Sequence, residues 1–126
     1  MKTETMITVR DVPASSRFYQ ALLGAESGHG GDEFEMIMKG GELLLLLHHH
    51  DTHNHGGMLD PEQAVGNGVA IWFRSDEFET LVENARKLGV TFREEPVWNP
   101  QAHHHECVIE DPDGYQVALC SPQDFS

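Results

Sequence analysis

Cysteine is scarce in this chain of 126 residues, which has Cys107 and Cys120 and no others. So low a count fits a reducing compartment rather than a disulfide framework. Long apolar runs are missing as well. None exceeds the five residues of Leu43 to Leu47, far short of the ~20 residues that a membrane span needs. Met1 to Arg10 alternates in character instead of passing from a charged to an apolar segment, so no secretory leader is expected and a cytoplasmic protein is. Basic residues are few, 8 against 21 acidic ones, for a formal net charge of −13 with histidine neutral. That field repels a phosphate backbone, so no nucleic-acid partner is expected. Gly28-His29-Gly30-Gly31 precedes no helical pattern, which argues against a nucleotide-cradling loop. No serine, histidine and acid stand at a spacing that argues for a triad.

What is present suits one ordinary domain spanning residues 1–126. Hydrophobic residues make up 39% and charged residues 23%, a soluble globular balance. A chain of 14.1 kDa removes roughly two-thirds of its unfolded surface from water, enough for a core without staples. Nine histidines stand out. Protonating all nine moves the formal charge from −13 to −4, so charge is sensitive to pH between about 5 and 7.5.

The chain contains itself twice, and this repeat organises the rest. Thr5 to Val9 alternates and ends at Asp11, and a helical pattern with Phe18, Tyr19, Leu22 and Leu23 then stops at Gly24. Val69 to Phe73 ends near Asp76, and a helix with Phe78, Leu81, Val82, Ala85 and Leu88 stops at Gly89. Both intervals, Asp11 to Gly24 and Asp76 to Gly89, are 13 positions. Asp11-Val12-Pro13 and Ser75-Asp76 are the expected helix starts, and the glycines are stops able to take positive φ. Further strands are expected at residues 33–38, 43–49, 90–93, 103–110 and 115–120. The last two are joined by the Asp111-Pro112-Asp113-Gly114 turn. The reading is α+β, with two βαβββ modules: module 1 at about 1–50, a linker at about 51–67 with one helical turn near 60–64, and module 2 at about 68–122.

Val9-Arg10-Asp11, Ser16-Arg17-Phe18-Tyr19, Leu22-Leu23-Gly24 and above all Asp111-Pro112-Asp113-Gly114-Tyr115 resemble the vicinal-oxygen-chelate superfamily, also called the glyoxalase/bleomycin-resistance/dioxygenase family. The resemblance covers nearly the whole chain. It implies a curled mixed sheet around a cavity, helices outside, and a metal held by the first and last strands of each module. Counting from the shared motifs places those four ligand positions on Glu4, Leu45, Ala70 and Ala118. Alanine and leucine donate no electron pair to a metal. No metal is therefore expected at the family positions, and no cofactor.

Strand parity then assigns a cavity face. It comprises Glu4, Met6 and Thr8; Leu43, Leu45 and Leu47; Ala70, Trp72 and Arg74; His104, Glu106 and Val108; and Gln116, Ala118 and Cys120. Of these, Glu4, Leu45, Leu47, Ala70, Trp72, Arg74, His104, Glu106, Val108 and Ala118 are the expected ligand-binding residues. Cys107 falls on the opposite face from Cys120, so a bridge between them is disfavoured. Glu4, His104 and Glu106 are the catalytic candidates. Glu106 at i+2 from His104 shares its face, where a carboxylate orients an imidazole for acid–base work or forms a structural pair. Glu4 is read either as a base or as an edge-strand charge that blocks aggregation. Trp72 and Arg74 suit stacking on and pairing with an anion, or simple solvation. His48, His50, His53, His55, His103 and His105 are expected to take up adventitious nickel or zinc.

These readings lead to a glyoxalase/bleomycin-resistance-like protein that binds a small molecule without the usual metal. The alternative is a lyase, isomerase or dioxygenase with a divalent metal on nonstandard His/Glu ligands, and a purely structural interaction module is a third class. A homodimer is expected, because open sheet edges need covering and the resemblance implies module pairing between chains.

Overall fold

A computed structural model describes residues 1–50 and 62–126. The fold is α+β, and the chain divides into two compact units, Met1–Val65 and Gly66–Ser126. Each holds one helix and one four-stranded mixed sheet.

In the first unit, β1 (Met6–Val9) leads to α1 (Val12–Leu23), then β2 (Glu26–Ser27), β3 (Phe34–Lys39) and β4 (Glu42–His49). Asp11 starts the helix as read from sequence, its carboxylate accepting from the Ala14 amide at 3.0 Å. That bond satisfies one of the amides a helix leaves open at its first turn. Gly24 ends it at φ 63°, a left-handed conformation that costs a glycine little. The sheet order is β1-β4-β3-β2, with β1 parallel to β4 and the other pairs antiparallel. The two-residue β2 was not expected from the sequence. It belongs to a loop gathered around Glu35, which is buried. The Glu35 carboxylate accepts from Ser16 Oγ (2.8 Å), Ser27 Oγ (2.7 Å) and the amides of His29 (3.0 Å), Gly30 (2.8 Å) and Met36 (2.8 Å). Burial pushes its pKa up, but these donors outweigh burial and hold it at about 2.

In the second unit, β5 (Ala70–Arg74), α2 (Phe78–Leu88), β6 (Phe92–Asn99), β7 (His104–Glu110) and β8 (Gln116–Cys120) form the order β5-β8-β7-β6. α2 starts two residues after the expected Ser75-Asp76 cap. Glu77 is the N-cap and makes no side-chain capping bond, while Ser75 Oγ accepts from the Glu77 amide at 2.9 Å. β6 runs beyond the expected 90–93, as far as Asn99. It continues through Pro96 because it is an outer strand with register shifts between Phe92 and Val97, where a missing N–H is tolerated. The Asp-Pro-Asp-Gly turn is held by the Asp111 carboxylate, which accepts from the Asp113 and Tyr115 amides at 2.9 Å. Gly114 sits at φ 97°. The helical turn read near 60–64 falls partly on residues 60–61, outside the described residues.

Each sheet has one face under its helix. Ile7, Val9, Ile37, Leu45 and Leu47 are buried with Tyr19, Leu22 and Leu23 in the first unit. In the second, Ile71, Cys107, Ile109, Val117 and Leu119 are buried with Phe78, Leu81 and Ala85. Each of the buried Val, Leu, Ile and Phe side chains contributes about 1.5–3 kcal/mol of hydrophobic stabilisation. The other face of each sheet carries no helix of its own unit, and the candidate site lies on one of these.

Candidate functional site

Registers in the second sheet place Ala70 beside Gln116, Trp72 beside Ala118 and Arg74 beside Cys120. Across β7, Glu106 pairs with Cys120 and Val108 with Ala118, while His104 pairs with Asn99 on β6. Partners in a ladder share a face. Ala70, Trp72, Arg74, His104, Glu106, Val108 and Ala118 therefore come together on the face opposite α2, as strand parity indicated. Cys107 pairs with Leu119 and so points the other way from Cys120. Both thiols are free, and burial pushes Cys107 up to about 11, which leaves it unreactive as a thiolate.

A polar chain crosses this face. Arg74 Nη1 lies 3.2 Å from His104 Nδ1, and His104 Nε2 lies 2.8 Å from Glu106 Oε1. Asn99 Nδ2 donates to the same Glu106 oxygen at 3.0 Å. Arg74 has no acceptor atom, so His104 Nδ1 must accept and Nε2 must carry the hydrogen given to Glu106. The two neighbours thus select one tautomer of a neutral imidazole. His104 is 4% and Glu106 8% exposed, so water competes little for either. Burial pushes Glu106 up, but hydrogen bonds from Asn99, His104 and Glu94 outweigh it and hold the carboxyl below its usual range. Glu94 is raised, first by its hydrogen bond with Glu106 and then by burial and the neighbouring charge. The two acids therefore titrate as a pair, with the carboxylate of Glu106 favoured and that of Glu94 disfavoured. Trp72 is 50% exposed, with its ring 6.0 Å from that of His104. It supplies an apolar wall at the open end of the chain.

The first unit corrects two expected face assignments. Ile37 pairs with Leu45 but Met38 pairs with Leu43, so Leu44 is an extra residue in β4. Such a bulge reverses parity beyond it. Leu45 and Leu47 consequently share the helix side with Glu35 and Ile37 and are fully buried there. The open side instead takes Met6, Thr8, Leu43, Leu46 and His48. Glu4 precedes β1 and is exposed.

The histidines are scattered in role. His48 is buried on the open face, with Nδ1 3.2 Å from the His49 carbonyl oxygen. His50 follows the end of β4. His103 occupies a left-handed turn at φ 58°, its ring 4.5 Å from that of Phe125. His105 is exposed against Trp98, ring to ring 5.1 Å. His53 and His55 lie outside the described residues. Among the described residues, no group of three or more His, Cys, Asp or Glu side chains is placed to hold a metal. At Ala70 and Ala118 the chain offers methyl groups, so the donor set of the second unit does not fit an ion at those positions.

Sequence reading missed Asn99 and Glu94. Asn99 also accepts from the amides of Gln101 (3.0 Å) and Ala102 (3.3 Å), which fixes its side chain in the β6–β7 turn. Both residues lie on the bulged outer strand, where period-two alternation is interrupted. An Asn two residues before Gln101-Ala102 is an Asx-turn signal, but nothing local tied it to Glu106.

The sequence pattern of the Glyoxalase/Bleomycin resistance protein/Dioxygenase superfamily matches residues 3–119. An integron cassette structure from the mobile metagenome of V. Pseudocholerae has TM-score 0.72 and 19% identity, with 98% of each chain covered. A lactoylglutathione lyase from Agrobacterium tumefaciens has TM-score 0.69 and 19% identity, covering 97% of this chain and 93% of that one. The fosfomycin resistance protein FosX from Mesorhizobium loti has TM-score 0.69 and 16% identity, covering 98% and 92%. At such identities these structures share the fold. Among curated proteins, none matches the chain.

Proposed function

Because the chain belongs to the Glyoxalase/Bleomycin resistance protein/Dioxygenase superfamily, we propose that it binds a small organic molecule on the open face of its second sheet, without the metal centre the family resemblance implies. The observation that carries this reading is the Arg74–His104–Glu106 chain, with His104 and Glu106 buried and Arg74 exposed, beside a half-exposed tryptophan. Buried hydrogen-bonded polar groups are often no more stabilising than apolar side chains of the same shape. A polar chain kept beneath an open apolar wall is accordingly read as serving recognition. Small-molecule sites combine such walls with a few placed polar groups. The methyl groups of Ala70 and Ala118 support binding without an ion, and no metal-dependent step is assigned. The chain is proposed to work as a homodimer, since the outer strands of each sheet leave a row of backbone groups unpaired within that sheet.

The test is a fragment screen followed by amide NMR on protein prepared without an affinity tag and assayed for metal. Shifts centred on Trp72, His104, Glu106 and Val108 in metal-free protein are the expected result. Binders that cluster elsewhere, or binding that appears only with one stoichiometric ion, would remove the proposal.

A further inference from the structure

We infer that the face selects an aromatic monocarboxylate, with its carboxylate on the free edge of Arg74 and its ring on Trp72. This deepens the binding reading above and rests on it. The guanidinium supplies the first half of the argument. Its Nη1 has two hydrogens, and both are engaged, one by His104 Nδ1 and one by the Ser121 carbonyl oxygen. The opposite edge, Nε and Nη2, presents two parallel N–H groups, and among the described residues nothing accepts from them. Two parallel donors match the two oxygens of a carboxylate. The tether at Nη1 has already fixed the side chain, so ligand binding is spared that ordering cost.

Glu106 does not compete for this edge. Its Oε1 is occupied by His104 and Asn99, with the imidazole between it and Arg74. The cation is therefore held in place without a carboxylate of its own among the described residues.

Trp72 supplies the second half. It lies two residues before Arg74 on the same strand and face, which places the two about 6.6 Å apart. Its ladder neighbours on that face are Ala118 across the strands and Ala70 along the strand, whose methyl groups leave half of the side chain exposed beside the His104 ring. A planar apolar body stacks there while its carboxylate reaches Arg74. Net charge sets the valence. A molecule at −13 repels multiply charged anions at a distance more strongly than single ones. A phosphate, moreover, gains nothing from the indole.

The experiment uses full-length protein labelled with ¹⁵N, carrying Trp98→Phe so that Trp72 gives the one indole N–H signal. Benzoate is titrated against benzamide, its neutral counterpart of the same shape. The expected result is a saturable indole shift with benzoate, at least tenfold weaker affinity for benzamide, and at least tenfold loss of benzoate affinity in Arg74→Gln. Arg74→Lys keeps the charge without the fork and should also weaken binding. Benzamide binding within twofold of benzoate at the same signals would leave the binding face standing and overturn the anion class. The anion class falls equally if other fragments bind at Trp72 and His104 while benzoate moves nothing. No ligand shifting Trp72, His104 or Glu106 would remove both readings. An indole buried in a dimer contact, shown by a signal that responds to protein dilution and not to benzoate, also overturns the inference.

Discussion

At the scale of single residues, the most consequential group outside the site is Glu35. Its folded pKa of about 2 stands below the reference value of 4.5. Its contribution is therefore complete above about pH 4.5 and is lost as pH falls towards 2. A gap of that size corresponds to about 3 kcal/mol at neutral pH. Glu35→Gln should cost about 2–3 kcal/mol in urea unfolding at pH 7 and flatten the acid limb of the stability curve between pH 4.5 and 2. An unchanged acid limb would show that the five donors do not bind the carboxylate as described. Within the site, Glu106→Ala strands the His104 Nε2–H and Asn99 donors in a buried place. We expect a loss of about 1–3 kcal/mol, with a smaller loss in Glu106→Gln, whose oxygen still accepts. Equal losses in the two variants would point to packing instead.

At the scale of elements, the helix ends were legible because their signals are local. Asp11 and the two glycines act within one turn of where they stand, so no distant contact is needed to read them. The open face of the second sheet was legible for a similar reason: Ala70 to Arg74 and Gln116 to Cys120 pair without interruption, so period two survives from sequence to structure. β4 was not. Leu43 to Leu47 is the same residue five times over, and a run without alternation carries no parity. The bulge at Leu44 is decided by pairing with β3, which nothing within the run announces. This register has a direct consequence. Leu45→Ala and Leu47→Ala, at fully buried positions, should each cost about 2–5 kcal/mol, and half-buried Leu46→Ala clearly less. Chemical denaturation of the three variants checks it, and a reversed ranking would place the bulge elsewhere. Asn99 and Glu94 escaped sequence reading because their value lies in the carboxyl group of Glu106, seven and twelve residues further along.

At the scale of the whole molecule, the acidic balance and the outer strands set the expectations. If the chain pairs with a second copy, sedimentation at micromolar concentration should give twice 14.1 kDa. A 14.1 kDa species alone would count against the dimer. Raising salt from low to moderate concentration should raise the urea midpoint, because it screens the repulsion within a molecule of −13; a midpoint that falls would mean attractive pairs dominate. The parallel pairing of the first and last long strands in each unit has a temporal side. Met6 waits for Leu46, and Ala70 for Gln116. At a synthesis rate of about 5–20 residues per second, β1 stays without its neighbour for some seconds while the intervening chain emerges. Neither sheet can zip up from a hairpin at its beginning. The later strands can pair as hairpins first, but the parallel strand docks last, so during translation β1, Met-Ile-Thr-Val, stays without its partner the longest.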